Sequence, residues 1–370
     1  MPSWRERWVA LRNRWLCDPR FHKRALDCPL TRPIALARVA ALFDLTAGFV
    51  YSQVLDATIR LGILEILRAG PIRRDRLAEE IGATSEALDA LLKAAEALEL
   101  VESLPGERVA LGPQGSALLG NPGLSELVLH HSHLYADLAQ SEALFRGRPQ
   151  NGRLAAYWPY AGASSAGVAS TAAVTPYSTL MGASLPALAE DILDAVPLRG
   201  RRRLMDVGGG LGVFLSAAAS RWPHLALRLF DLPAVVEAAQ RRLVCEGLSE
   251  RIECVAGDFI ETPLPAGADV ISLVRILHDH DDTGVRRILS SARKALPSSG
   301  QLIIAEPLSG TGGRDRVAGA YFSVYLLAMG RGQPRTSARL KALLGEAGFS
   351  NVRQVATRNP TLMRVLLARP

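Results

Sequence analysis

Cysteine is scarce in this chain, at 4 in 370 residues, and Cys17, Cys28, Cys245 and Cys254 form neither a CxxC pair nor a zinc spacing. That excludes a disulfide-stapled secreted scaffold and a zinc module, and it predicts reduced thiols in a cytosolic compartment. Long apolar runs are missing too. The most apolar early stretch, Ile34 to Val50, carries Arg38 and Asp44 and is short for a bilayer span. The basic start has no apolar core behind it, so no secretory signal is read. No Lys-Ser/Thr pair follows the main glycine-rich turn, which argues against a P-loop. The hydrophobic share of 48% and charged share of 21% are those of a globular chain, and the length holds two domains. A net charge of +7 fits either arginine-rich coding or contact with an anionic surface.

The chain is organised around Leu204-Met205-Asp206-Val207-Gly208-Gly209-Gly210-Leu211-Gly212. An apolar run ends in an acid, breaks into glycines and resumes at Val213 as a good helix former. This predicts a buried strand, a tight turn and a helix N-terminus, whose free N–H groups favour negative groups. Leu227 to Asp231 reads as a second strand ending in a carboxylate, the place that grips ribose hydroxyls in doubly wound sheets. A dinucleotide fingerprint would put a glycine at Val213, and none is there. The compact Gly208-x-Gly210-x-Gly212 pattern, with Asp206 before and Asp231 after, suits S-adenosylmethionine: an amino-acid end for the turn and a ribose for the second acid.

Downstream, strands and helices alternate. Strands are predicted at Ile252–Val255, Ala268–Val274 and Gln301–Ala305, with late ones near Val352–Val355 and Met363–Leu367. Alternation means an open α/β sheet with ligands at the carboxyl ends of its strands, where Asp206, Asp231, Asp258, His278 and Glu306 all fall. His278 is the natural general base on that rim, and Glu306 can hold its tautomer. His280 is expected in the following loop.

Upstream, Trp4, Trp8, Leu11 and Trp15 share one helical stripe flanked by Arg5, Arg7, Arg12 and Arg14. That pattern fits a helix lying in a membrane interface, or an arm packing on the body or a second subunit. Leu42 to Ala69 is expected as long core helices, with Phe43, Val50, Val54, Ile59, Leu64 and Leu67 inward. Arg74–Gly82, a helix capped at Thr84, and a hairpin from Leu100 to Leu111 follow in the order of a winged helix. Glu86, Asp89, Glu96 and Glu99 against a lone Lys93 make its second helix a poor partner for phosphates, so a dimerisation or scaffold role is preferred to DNA binding. His130, His131 and His133 lie on one predicted helix at positions that point apart, which favours pocket-lining or packing over a metal site. Gly162–Thr175 reads as a loose connection.

Asp206–Gly212, Phe230-Asp231-Leu232-Pro233, Gly257-Asp258-Phe259, Arg275 to Asp279, Ala305-Glu306 and Pro334-Arg335-Thr336 occur in the order of the caffeate/hydroxyindole-type O-methyltransferases, which the chain resembles over nearly its whole length. The resemblance implies a C-terminal Rossmann-like S-adenosylmethionine methyltransferase sheet (α/β) and an N-terminal helical winged-helix dimerisation domain, and hence a homodimer. It implies that Asp206, Gly208, Gly210, Asp231, Leu232, Asp258, Phe259 and Arg275 hold the cofactor, with His278 as base and Glu306 orienting it. Two departures stand out: Pro334 where the plant phenol methylases carry a second glutamate, and Val274 where they carry a lysine.

A closer likeness is to the purple-bacterial carotenoid O-methyltransferases, which methylate the 1-hydroxyl of acyclic carotenoids of the demethylspheroidene or hydroxyneurosporene type. It rests on Pro29–Pro33, Leu42–Leu45, Gly48–Gln53, His130-His131 with Leu134–Leu138, His278–Asp282, and Tyr321-Phe322 with Tyr325–Gly330. It implies a long apolar substrate, and Tyr177, Met181, Tyr321, Phe322, Tyr325 and Met329 are the residues expected to line its trough. The expected division is an arm over 1–33, a helical domain over 34–185 and a methyltransferase domain over 186–370. A cytoplasmic place, peripheral on an inner or photosynthetic membrane through residues 1–16, goes with it. The alternatives are a methylase of phenolic or polyketide substrates, and a winged-helix regulator with an idle sheet.

Overall fold

The computed structural model describes residues 2–147, 152–157, 182, 185–310, 313–358 and 363–370. Tyr177, Met181 and the expected connection at Gly162–Thr175 lie outside them. The chain folds as two units, residues 1–119 and 120–370. The division falls earlier than the 185/186 boundary expected above. The reason is packing: Leu134 on the helix Pro122–Leu138 and Leu154 on the helix Arg153–Tyr157 are buried against Tyr325, Leu326 and Met329 of the helix Gly313–Met329.

In the first unit, a helix over Trp4–Leu16 is closed by a capping box at Ser3 and Glu6, and none of its residues is buried. The next long helix, Arg32–Arg60, runs unbroken for 29 residues with only Val54 and Thr58 buried. By length and composition it could cross a membrane. The inward set expected here needs correction: Val54, Leu64 and Leu67 are core, whereas Phe43 is 67% and Val50 42% exposed. A helical period fixes which residues share a face, not what covers that face. The helices Arg74–Ile81 and Ser85–Ala97 and the hairpin of β2 (Val101–Leu104) and β3 (Arg108–Leu111) follow in the expected order, preceded by a short strand β1 (Ile72–Arg73) that was not expected. Their sheet runs β1-β3-β2 around a core of Ile63, Leu77, Leu88 and Leu92.

The second unit is a seven-stranded sheet in the order β6-β5-β4-β7-β8-β10-β9. Its strands are β4 (Arg203–Val207), β5 (Ala226–Asp231), β6 (Ile252–Ala256), β7 (Val270–Val274), β8 (Gln301–Glu306), β9 (Ser350–Val355) and β10 (Arg364–Arg369). β4 through β8 are parallel, and β10 is antiparallel to both of its neighbours. The central strands β4, β5, β7 and β8 are nearly fully buried because both faces are covered, while the edge strands β6 and β9 are partly exposed. One face packs Phe214, Leu215 and Leu243, the other Ile288, Leu289 and Leu343. Strand order reverses beside β4, so the crevice for a ligand opens at the carboxyl ends of β4, β5 and β7.

Candidate active site

The turn after β4 is built on glycines held in the left-handed region. Gly208, Gly210 and Gly212 have φ of +72°, +57° and +79°. A Cβ on Gly208 would fall 2.4 Å from Ile276 Cδ1, and one on Gly257 2.4 Å from Phe230 Cζ. Gly212 caps the helix Val213–Arg221. The main chain therefore lies bare against a cavity of about 890 Å³, whose wall includes Gly208, Gly210, Asp231, Leu232, Asp258, Phe259 and Arg275.

Asp231 ends β5 and turns back over the glycines. Its Oδ2 accepts from Gly210 N at 2.8 Å and its Oδ1 from Leu232 N at 2.7 Å. Burial pushes its carboxyl up to about 6, against those two amides. Asp206 is placed differently from the other expected cofactor residues. It is 2% exposed, accepts from Ser272 Oγ at 2.6 Å, and lies beneath the turn rather than on the cavity wall. Burial raises it to about 7, with the Asp231 charge adding to the rise and Ser272 opposing it. Asp258 caps the next turn by accepting from Ile260 N at 2.8 Å. Arg275 holds φ +58° at the end of β7, which swings the chain into the loop that carries His278.

That loop is held by Glu306 at the end of β8. Glu306 is 2% exposed; its Oε1 accepts from Ile276 N at 2.8 Å and Leu277 N at 2.6 Å. Its Oε2 lies 2.6 Å from His278 Nδ1. A carboxylate in this setting can only accept, so Nδ1 carries the proton and Nε2 presents its lone pair. Asp279 Oδ1 lies 3.1 Å from Nε2, at an angle that makes no hydrogen bond. Burial alone would lower the imidazole, but Asp279 and Glu306 outweigh it and the Arg275 charge, and hold it above its ordinary value. Asp279 is itself raised to about 6 by burial, against the pull of His278.

The wall of the described cavity includes Asp279 and His280 but not His278, whose ring meets Phe322 edge-on at 6.3 Å. His280 meets Phe259 edge-on at 5.7 Å, and burial lowers it to about 4. Met329 reaches the cavity. Tyr321 and Tyr325 belong to a packed cluster, stacked on each other at 5.9 Å. Their hydroxyls pair with His131 Nε2 at 2.7 Å and His130 Nε2 at 2.9 Å. The histidine cluster thus packs against the tyrosines of the helix Gly313–Met329.

Residue-by-residue reading passed over three participants. Asp279 stands next to the histidine, Ser272 is a lone hydroxyl in the apolar run Val270–Val274, and Arg335 lies in the Pro334-Arg335-Thr336 motif. An adjacent acid was the one visible signal. The contacts of Ser272 and Arg335 span 66 and 58 residues.

Residues 135–350 match the O-methyltransferase domain, and residues 43–121 match the O-methyltransferase dimerisation domain. The chain belongs to this O-methyltransferase family. Demethylspheroidene O-methyltransferase of Cereibacter sphaeroides is 42% identical over 335 residues, 90% of this chain and 88% of its own length. The enzyme of the same name from Rhodobacter capsulatus is 39% identical over 353 residues, 94% of this chain and 86% of its own. Among solved structures, human N-acetylserotonin methyltransferase in complex with S-adenosylmethionine superposes with TM-score 0.74 at 25% identity, covering 90% of this chain and 97% of that one. A methyltransferase of calicheamicin biosynthesis, in its S-adenosylhomocysteine-bound form, gives TM-score 0.75 at 27% identity over 90% and 98%.

This O-methyltransferase uses S-adenosylmethionine. Its own residues fit that cofactor: bare glycine backbone for the amino-acid end, Asp231 and Asp258 as acceptors for hydroxyl and amine donors, and Phe259 and Leu232 as apolar surface. Bound there, S-adenosylmethionine supplies a methyl group already activated on a sulfonium. The dimerisation domain supports homodimer formation. The idle-sheet regulator is set aside, since the family is enzymatic.

Proposed function

We propose that the enzyme methylates the 1-hydroxyl of an acyclic hydroxycarotenoid, of the kind named in demethylspheroidene O-methyltransferase, with His278 as general base. One observation carries the substrate: the two relatives bearing that name are 42% and 39% identical along most of their length. A naphthoate methylase of Streptomyces sahachiroi stands at 31%, which puts the phenolic or polyketide reading second.

The chemistry needs little beyond orientation and a base. Glu306 fixes the tautomer, so Nε2 can take the acceptor's hydroxyl proton; bound S-adenosylmethionine would supply the methyl group to that oxygen, its carbon–sulfur bond breaking with the electron pair left on the departing S-adenosylhomocysteine. The imidazolium so formed stands between Glu306 and Asp279, at 2.6 and 3.1 Å. Gly208, Gly210, Asp231, Leu232, Asp258, Phe259 and Arg275 hold the cofactor, and Asp206 supports the turn from beneath. Phe322 and Met329 are the described residues best placed to meet the substrate; Tyr321 and Tyr325 stiffen the helix that carries them. His278→Ala should bind S-adenosylmethionine in calorimetry yet lose methyl transfer, and undiminished turnover would remove the base.

The arm extends the reading. Trp4, Trp8, Leu11 and Trp15 are 76, 54, 43 and 54% exposed on one stripe, and Arg5, Arg7, Arg12 and Arg14 border it. Rings of this kind sit at headgroup depth while guanidiniums reach anionic phosphates, so residues 1–16 bring the enzyme to a membrane that dissolves its substrate. Flotation of the full chain with anionic vesicles, lost when residues 1–16 are removed, is the expected result. Equal flotation without them would refute it.

A further inference from the structure

The segment after the helix Gly313–Met329 folds back onto the His278 loop, and its grip is unusually complete. Gly332 has φ +79°, and a Cβ there would fall 2.2 Å from the His278 carbonyl oxygen, so only glycine lets the two chains come so close. Gln333 N donates to His278 O at 2.9 Å. Arg335, 4% exposed, donates from Nη1 to Leu277 O at 2.6 Å and from Nη2 to His280 O at 2.7 Å. Its Nε donates to Asp282 Oδ1 at 2.8 Å, and Asp282 also takes Gln333 Nε2 at 2.9 Å and Arg339 Nε at 3.0 Å.

The turn that carries the imidazole is therefore held at both polar ends. Glu306 accepts its amides at 276 and 277; Arg335 and Gln333 donate to its carbonyls at 277, 278 and 280. We propose that Arg335 is a positioning residue for methyl transfer, pinning the main chain on either side of His278 so that the ring keeps its place between Glu306 and the acceptor hydroxyl. This rests on the reading of His278 as base. A plain ion pair would need only Asp282, yet two of the three bonds go to carbonyls flanking the histidine. The flat guanidinium fork spans both at once, and a lysine ammonium offers one point charge in their place.

The decisive variants are Arg335→Lys and Arg335→Met, with His278→Ala in parallel. The first readout needs no substrate: hydrogen exchange in the 275–282 segment of the unliganded protein. The second is kcat and KM against pH. Loosening the loop is expected to speed exchange at Ile276 and Leu277 and to lower kcat about 100-fold, with KM for the acceptor and affinity for S-adenosylmethionine held within about two-fold, since displacements near 1 Å carry such losses. The acid limb of kcat should also move to lower pH. The charged and titratable groups acting on His278 are Asp279, Glu306, Arg275 and His280, and the two carboxylates hold the imidazole up only while the loop keeps them in place. Arg335→Lys covers the case where the methionine variant does not fold. Wild-type kcat in a folded lysine variant overturns the proposal, and so does lost activity with exchange and acid limb unchanged. Methyl transfer by His278→Ala would end the base reading instead, and the exchange result would still decide whether Arg335 holds the loop.

Discussion

Replacing Glu306 with glutamine keeps the shape of the side chain and removes its charge, and the outcome can be worked out from its partners. Three groups converge on the carboxylate: the amides of Ile276 and Leu277 on Oε1, and His278 Nδ1 on Oε2. Glutamine offers one acceptor and one donor. Turning its NH2 toward the two amides would strand both donors where water does not reach, at about 1–3 kcal/mol each. Turning its NH2 toward Nδ1 requires only that the imidazole move its proton to Nε2, which is cheaper. The second arrangement wins, and the base then points a proton where its lone pair should be. By analogy with other carboxylate–imidazole pairs, the wrong tautomer lowers kcat about 10³- to 10⁴-fold. The lost charge also removes one cause holding the imidazole up, so residual activity should show its acid limb at lower pH. Single-turnover transfer of labelled methyl, from about pH 5 to pH 9, reads both effects. A rate near wild type, or an acid limb that stays in place, would refute the reasoning.

Other parts of the site make separate predictions. Asp231→Ala removes the acceptor that orders Gly210 and Leu232 and should weaken S-adenosylmethionine binding about 10- to 100-fold in calorimetry. Gly208→Ala must place a Cβ 2.4 Å from Ile276 Cδ1 at φ +72°; a loss of about 1–3 kcal/mol in denaturant unfolding and of cofactor affinity is expected. Stability should fall as pH rises above about 7. In that range the folded state still holds protons on Asp206, near 7, and on the raised His278 that the unfolded chain has largely released, while Asp231 and Asp279, near 6, have given theirs up below it. His130 and His280, both lowered to about 4, are neutral in either state there and drop out. Thermal melts across the window check the sign; a midpoint that climbs would contradict it.

The parallel sheet was legible because its central strands β4, β5, β7 and β8 are buried, mostly apolar runs with a polar residue at or just beyond the carboxyl end. Asp206, Asp231 and Glu306 close β4, β5 and β8 nearly as read. Glu306 and His278 could be paired from their places on neighbouring strand ends. What escaped was set by distant partners. Phe43 and Val50 have the spacing of core residues, but nothing in their own helix says that the face they share is left open within one chain. Asp206 has the same strand-end signature as Asp231, yet Ser272 on β7 draws it under the turn. Arg335 is indistinguishable from any other arginine until the chain folds back through Gly332.

The most direct measurement is methyl transfer by the purified full chain, with labelled S-adenosylmethionine, across a panel of 1-hydroxy acyclic carotenoids and phenolic acceptors. Label should enter the carotenoid as a methyl ether in the wild type and not in His278→Ala, with cofactor affinity equal in the two. Transfer to phenols alone, or carotenoid methylation that survives the loss of the imidazole, would contradict the account.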